Sequence, residues 1–208
     1  MSADAVALGF RAGRGGSVVV GVGLDDGEPR IVLSTHLATA AEGDRLAYEP
    51  YQVAYEMPRG PDGGPSAEAA AAVAEGRRRQ TLTATEALAR LVEPLRAAGR
   101  TPLVGALVIN RAGWMTDLLG HALSAPEHPP VMEGLAVREA LRHGCRACGL
   151  PLVEMDEKSL GEAASMKLGL SPGEIDAALK ALGAAAGRPW RKEQKAAALA
   201  AWVAVAGQ

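Results

Sequence analysis

Hydrophobic positions along this chain fall into short unbroken runs and longer, spaced stripes, and the two kinds alternate. The most compact run is Leu103-Val104-Gly105-Ala106-Leu107-Val108-Ile109, opened by Pro102 and closed by Asn110. Without a polar interruption it predicts a strand buried on both faces, such as an α/β sheet carries at its centre. Ahead of it, Ala5 to Phe10, Ser17 to Leu24 and Arg30 to Leu37 are apolar stretches joined by Arg11-Ala-Gly-Arg-Gly-Gly16 and Asp25-Asp-Gly27-Glu-Pro29. These links are rich in turn formers, so the three stretches predict an antiparallel meander. A loop excursion at about residues 39–65, with one short helix at most, separates the meander from the next pattern.

The spaced stripes predict helices. Ser66 is placed to cap an alanine-rich helix that meets Gly76 and resumes, with Leu88, Leu91, Val92 and Leu95 on one face and Pro94 bending its last turn. After the central strand, Trp114 to Leu123 reads as helical, and Pro126, Pro129 and Pro130 break it before a second helix from about Met132 to Cys148. Leu150 to Met155 is a further strand, and Glu162 to Leu168 a short helix. Ser171-Pro-Gly-Glu174 has capping-box spacing ahead of Ile175, Leu179 and Leu182. A final helix runs from about Pro189 to Ala206, with Leu199, Trp202, Val203 and Ala206 as its inward face. The order βββαβαβα predicts one α/β domain over residues 1–208, a mixed five-stranded sheet with helices on both faces.

Composition narrows the classes. A formal net charge of −2 excludes a globally basic nucleic-acid binder, so a polyanion would have to meet a local patch. No stretch approaches the roughly 18 apolar residues of a membrane span, and Met1-Ser2-Ala3-Asp4 does not open a signal peptide, so a cytoplasmic protein without membrane partners is expected. Aromatic residues make up 3% of the chain, too few for wide base-stacking platforms. Cys145 and Cys148 lie on the inward face of their helix and read as buried thiols. The alternative, His143, Cys145 and Cys148 as zinc ligands, lacks a second ligand pair.

Three antiparallel strands followed by alternating helices and parallel strands resemble the ribonuclease H-like fold of ribonucleases H, Holliday-junction resolvases, integrases and actin-like kinases. The resemblance implies, for a nuclease, carboxylates on the first strand, at the end of the fourth and on the last helix, holding two divalent metals such as Mg or Mn. This sequence departs from that pattern at each place. Leu8-Gly9-Phe10-Arg11 brings an arginine, Asn110 ends the fourth strand, and Lys192 and Lys195 extend the inward face of the last helix, with Glu193 about 120° away. Glu56, Asn110 and Glu193 are what remains for a metal, so none is assigned.

The same substitutions point to an anion site. Arg11, Arg14, Arg188, Arg191, Lys192 and Lys195 would gather at one sheet end beside a helix N-terminus. Their other reading is a solvated charged face. Trp190 reads as a hydrophobic anchor rather than a stacking residue, and Gly13, Gly15 and Gly16 as a hairpin turn rather than a phosphate loop, since a strand follows them. His121, His128 and Glu133 follow the central strand on the side where α/β sheets bind ligands, and His128 with Glu133 forms a candidate acid–base pair.

Gly9-Phe10-Arg11, the spacing His121, His128, Glu133-Gly134, Arg138, and the stretch Pro189-Trp190-Arg-Lys-Glu-Gln-Lys195 through Trp202 together resemble a family of uncharacterised bacterial proteins of similar size. That resemblance implies a ribonuclease H-like domain without an assigned activity. The expectation is a protein that binds a phosphate-bearing ligand, nucleic acid or nucleotide, through Arg11, Asn110, His121, Arg138, Lys192 and Lys195. If it is an enzyme, it is a divergent phosphodiester hydrolase using His128 and Glu133. The alternative is a non-catalytic scaffold that forms homodimers or meets a partner through the apolar surface of its last helix.

Overall fold

The computed structural model of the chain describes residues 5–110 and 115–207, with the backbone alone for residues 101–103. Three long strands open it: β1 (Ala5–Gly13), β2 (Gly16–Asp25) and β3 (Glu28–Ala38) form the antiparallel meander. The excursion that follows holds two short helices, α1 (Arg45–Tyr48) and α2 (Pro50–Glu56), one more than the sequence pattern suggests. Next come α3 (Ala67–Ala97), β4 (Thr101–Ile109), α4 (Leu118–Ser124), α5 (Pro129–Ala147) and β5 (Leu152–Asp156). The chain closes with α6 (Leu160–Leu168), α7 (Pro172–Ala186) and α8 (Lys192–Val205). β4 lies parallel to β1 and β5 parallel to β4, giving one mixed sheet of order β3-β2-β1-β4-β5. None of the described helices is long and apolar enough to cross a membrane.

Side-chain alternation in the strands divides the core in two. Val6, Leu8, Phe10, Val19 and Leu107 point to the face covered by α3 and α5. Ala7, Val20, Val22, Ala106 and Val108 point to the face covered by α6, α7 and α8. Gly9 belongs to this second face, and a Cβ there would sit 1.8 Å from the carbonyl oxygen of Ala197. The backbone of α8 therefore rests directly on β1, a closeness that only glycine on the strand and alanine on the helix permit.

Several local expectations hold. Ser66 accepts from the amide of Ala69, and Ser171 with Glu174 closes a capping box. Gly76 does not interrupt α3. It lies where α1 and α2 press on the helix, since a Cβ there would fall 2.4 Å from the Leu46 carbonyl oxygen. Trp114, expected to open a helix, lies outside the described residues, and α4 is instead capped by Asp117, whose carboxylate accepts from the Gly120 amide at 2.8 Å.

The last helix needs correction. It begins at Lys192, not near Pro189, and Trp190 sits in the connection before it. Nor does it have a single inward face, because every residue from Ala197 to Val205 is buried. The sheet covers one side and α6 and α7 the other, so the apolar surface proposed for a scaffold or a homodimer is already used within the chain.

Candidate nucleic-acid interface

Parallel pairing brings the C-terminal ends of β1, β4 and β5 to one level, because Arg11 stands opposite Val108, and Val108 opposite Met155. One step further along, the amide of Glu157 donates to the Ile109 carbonyl at 2.8 Å, which extends the ladder and fixes Glu157 beside Asn110. Arg11 follows Phe10 in the alternation and so projects to the α8 side. There its Nη2 donates to Glu157 Oε2 at 2.8 Å, while Lys192 Nζ in the first turn of α8 lies 3.1 Å from Glu157 Oε1. One carboxylate thus holds two cations of different elements.

From the opposite face, α5 contributes Arg138. Its Nη1 donates to Asn110 Oδ1 at 2.7 Å. Arg138 as a whole is 5% exposed, and its buried Nε has no hydrogen-bond partner among the described residues. Burial, and after it the nearby charges of Arg11 and Arg142, push its pKa down from the usual arginine value. An arginine desolvated among other cations, with a donor left over, is a poorly compensated charge. An anion arriving at this sheet end would relieve it.

Other candidates are placed elsewhere. Lys195 is exposed on α8, one turn beyond Lys192. Arg14 turns to the excursion, where it pairs with Glu49 at 3.2 Å and lies over the Tyr48 ring. Arg188 and Arg191 flank Trp190 in the connection before α8. His121 and His128 stack with ring centroids 4.0 Å apart, and His128 Nδ1 lies 2.9 Å from Ser124 Oγ and 3.0 Å from the His121 carbonyl oxygen.

Glu133 is fully buried, and its Oε1 accepts from the amides of Tyr51 at 2.8 Å and Gln52 at 3.0 Å. It caps the first turn of α2, whose own N-cap residue, Glu49, makes no side-chain cap. Burial raises its pKa to about 8 against the opposing pull of the two amides, so near neutral pH it largely keeps its proton. Among the described residues, no hydrogen bond joins His128 to Glu133.

A two-metal centre does not fit the residues at this sheet end. Arg11 and Lys192 bring two cations to this sheet end beside the neutral amide of Asn110, and two cations repel a third. Glu56, one of the acids left over, is held by Arg45 at 2.7 and 2.9 Å, and Glu193 is exposed. Among the described residues, no three of histidine, cysteine, aspartate and glutamate stand close enough together to hold a metal. Cys145 lies in the core under α3, and burial pushes its thiol up to about 12, while His143 on the same helix is exposed.

Sequence reasoning missed Glu157. Its signal was an acidic pair, Asp156-Glu157, directly after a strand parallel to the central one.

Among the solved structures to which this chain is similar are two of RuvC and one of a yeast mitochondrial resolvase. RuvC of Thermus thermophilus matches with a TM-score of 0.51 at 11% identity, covering 95% of this chain and 92% of that one. The same protein in complex with a Holliday junction substrate matches with a TM-score of 0.51, also at 11% identity, over 95% of this chain and 90% of that one. The yeast mitochondrial Holliday junction resolvase aligns over 97% of this chain and 81% of that one, at 14% identity and a TM-score of 0.43. No protein-family model and no curated protein matches the sequence. The likeness is one of fold, and the fold is ribonuclease H-like.

Proposed function

We propose that this ribonuclease H-like protein binds nucleic acid through its phosphate backbone at the C-terminal end of β1, β4 and β5, using Arg11, Lys192 and Arg138 as the anion contacts. The observation that carries this is the buried, incompletely partnered guanidinium of Arg138 beside two further cations that share one carboxylate. Nucleic acid, rather than a free nucleotide, is favoured because RuvC, with the same fold, is known in complex with a Holliday junction substrate. In this reading guanidinium and ammonium groups meet the phosphate directly, where metals would otherwise mediate. It contains no chemical step, so it assigns none to His128 and Glu133.

The test is thermal unfolding in the presence of a chelator, with inorganic phosphate, mononucleotides, single-stranded and duplex oligonucleotides and a four-way junction. Ligand at about a hundred times its dissociation constant stabilises by about 2.7 kcal/mol, which for a domain of this size raises the melting temperature by about 5–10 °C. Nucleic acids should produce such a shift without added metal. If no phosphate-bearing compound raises the melting temperature, or if stabilisation requires Mg²⁺ or Mn²⁺, the reading fails.

A further inference from the structure

The connection between α7 and α8 forms a concavity of about 640 Å³, lined by Gly183, Arg188, Trp190 and Arg191 among others. Trp190 is fixed there in both place and rotation. Gly183 lets the indole lie against α7, since a Cβ at that position would fall 2.3 Å from Trp190 Cδ1, and the indole N–H donates to the Leu179 carbonyl at 3.0 Å. Trp190 is half-buried, packing on the core below and lining the concavity. On either side Arg188 and Arg191 are exposed, and no described acidic side chain holds either guanidinium. The next residue is Lys192, which reaches Glu157 beside Arg11.

The half-buried Trp190 thus lines this open hollow between two arginines that no described acidic side chain holds. Base stacking with backbone neutralisation is the chemistry such a wall suits, and it tolerates any base because each has a π face. The volume falls within the roughly 300–1,000 Å³ of small-ligand clefts, enough for one nucleotide and too little for a duplex. Two residues of extended chain span at most about 7 Å, so a strand leaving Trp190 meets Lys192 within about one nucleotide. We propose that this concavity captures a single unpaired nucleotide, its base stacked on Trp190 and its flanking phosphates on Arg188 and Arg191, before the strand continues to Arg11 and Lys192. The direction of the strand rests on the proposed function, while the capture of a base does not.

The 208-residue chain is titrated, in chelator, against labelled oligodeoxythymidine and against an abasic strand of equal length. Wild-type protein should prefer the base-bearing strand by about five- to a hundredfold, the range expected for one stacked base. Trp190→Ala should erase that preference and Trp190→Phe retain most of it, with circular dichroism reporting that each variant is folded. Arg188→Gln with Arg191→Gln, both at the surface, should weaken both strands. Equal binding of the two strands by wild type, a preference that survives Trp190→Ala, or no effect of the double arginine variant would each overturn the inference. Arg11→Ala separates it from the sheet-end reading. If that variant weakens neither strand while Trp190→Ala still erases the preference, the sheet-end reading falls and the stacking site stands, and if no strand binds at all, both fall.

Discussion

Replacing Glu133 with glutamine isolates one buried titration. Its carboxyl is 0% exposed, caps two amides of α2 and has a pKa raised from 4.5 to about 8 by burial. Between these values the folded chain keeps a proton that the unfolded chain releases, so stability is full below pH 4.5 and declines as pH rises through 8. The slope approaches about 1.4 kcal/mol per pH unit, and the whole window amounts to about 5 kcal/mol at most. Glutamine is neutral throughout, and its amide oxygen can keep both hydrogen bonds to α2. Near pH 5 the variant and wild type should therefore agree within about 1 kcal/mol. At pH 8.5 the variant should be the more stable by several kcal/mol. Urea unfolding followed by circular dichroism at pH 5, 6.5 and 8.5 measures this, and taking the difference between the two proteins cancels every other titrating group. A difference that stays constant with pH would refute the reasoning, because Glu133 would then be ionised in the folded state.

Other substitutions probe the packing and the site. Trp202 is 5% exposed, so Trp202→Ala should cost about 3–5 kcal/mol and lower the melting temperature by about 10 °C, and an unchanged melt would remove it from the core. Gly9→Ala would force α8 off the sheet at a cost of about 1–3 kcal/mol or more, whereas Gly134→Ala in α5, where a Cβ meets nothing within 4 Å, should gain up to about 1 kcal/mol. Equal melting temperatures for these two alanine variants would contradict the direct contact of α8 with β1. Glu157→Gln removes the carboxylate that competes with phosphate for Arg11 and Lys192. It should tighten oligonucleotide binding about two- to fivefold, as expected for releasing a solvent-accessible ion pair, and weaker binding would mean that Glu157 supports the site instead of masking it.

The sheet was legible in the sequence because its strands announce themselves. Val6, Ala7 and Leu8 are uninterrupted by polar residues, as are Leu107 and Val108, and burial on both faces demands that. Ser66 and Ser171 marked helix starts by chemistry that is local to a few residues. The last helix was harder. Alanine is small enough to be covered on any side, so the run from Ala196 to Ala206 carries no periodic stripe by which complete burial could be told from an amphipathic face. Arg11, Lys192 and Arg138 could be named as cations, but the meeting of Arg11 with Lys192 depends on Glu157, whose place is set by the register of β5 on β4. Glu133 was less legible still. In the first turn of the predicted helix, just after two prolines, it has the sequence surroundings of an exposed carboxylate, and only the arrival of α2 from more than seventy residues earlier turns it into a buried helix cap.

Binding to a labelled oligonucleotide as a function of salt, in chelator, tests the central claim most directly. Each phosphate neutralised on duplex DNA steepens the slope of log affinity against log salt by about 0.9, and on a single strand by about 0.7. Wild-type protein should bind without divalent metal and weaken steeply as salt rises. Arg11→Ala and Lys192→Ala should each flatten the slope by close to one phosphate contact, and the double variant by close to two. An absence of binding without metal, or identical slopes for all four proteins, would contradict an anion site at the end of this sheet.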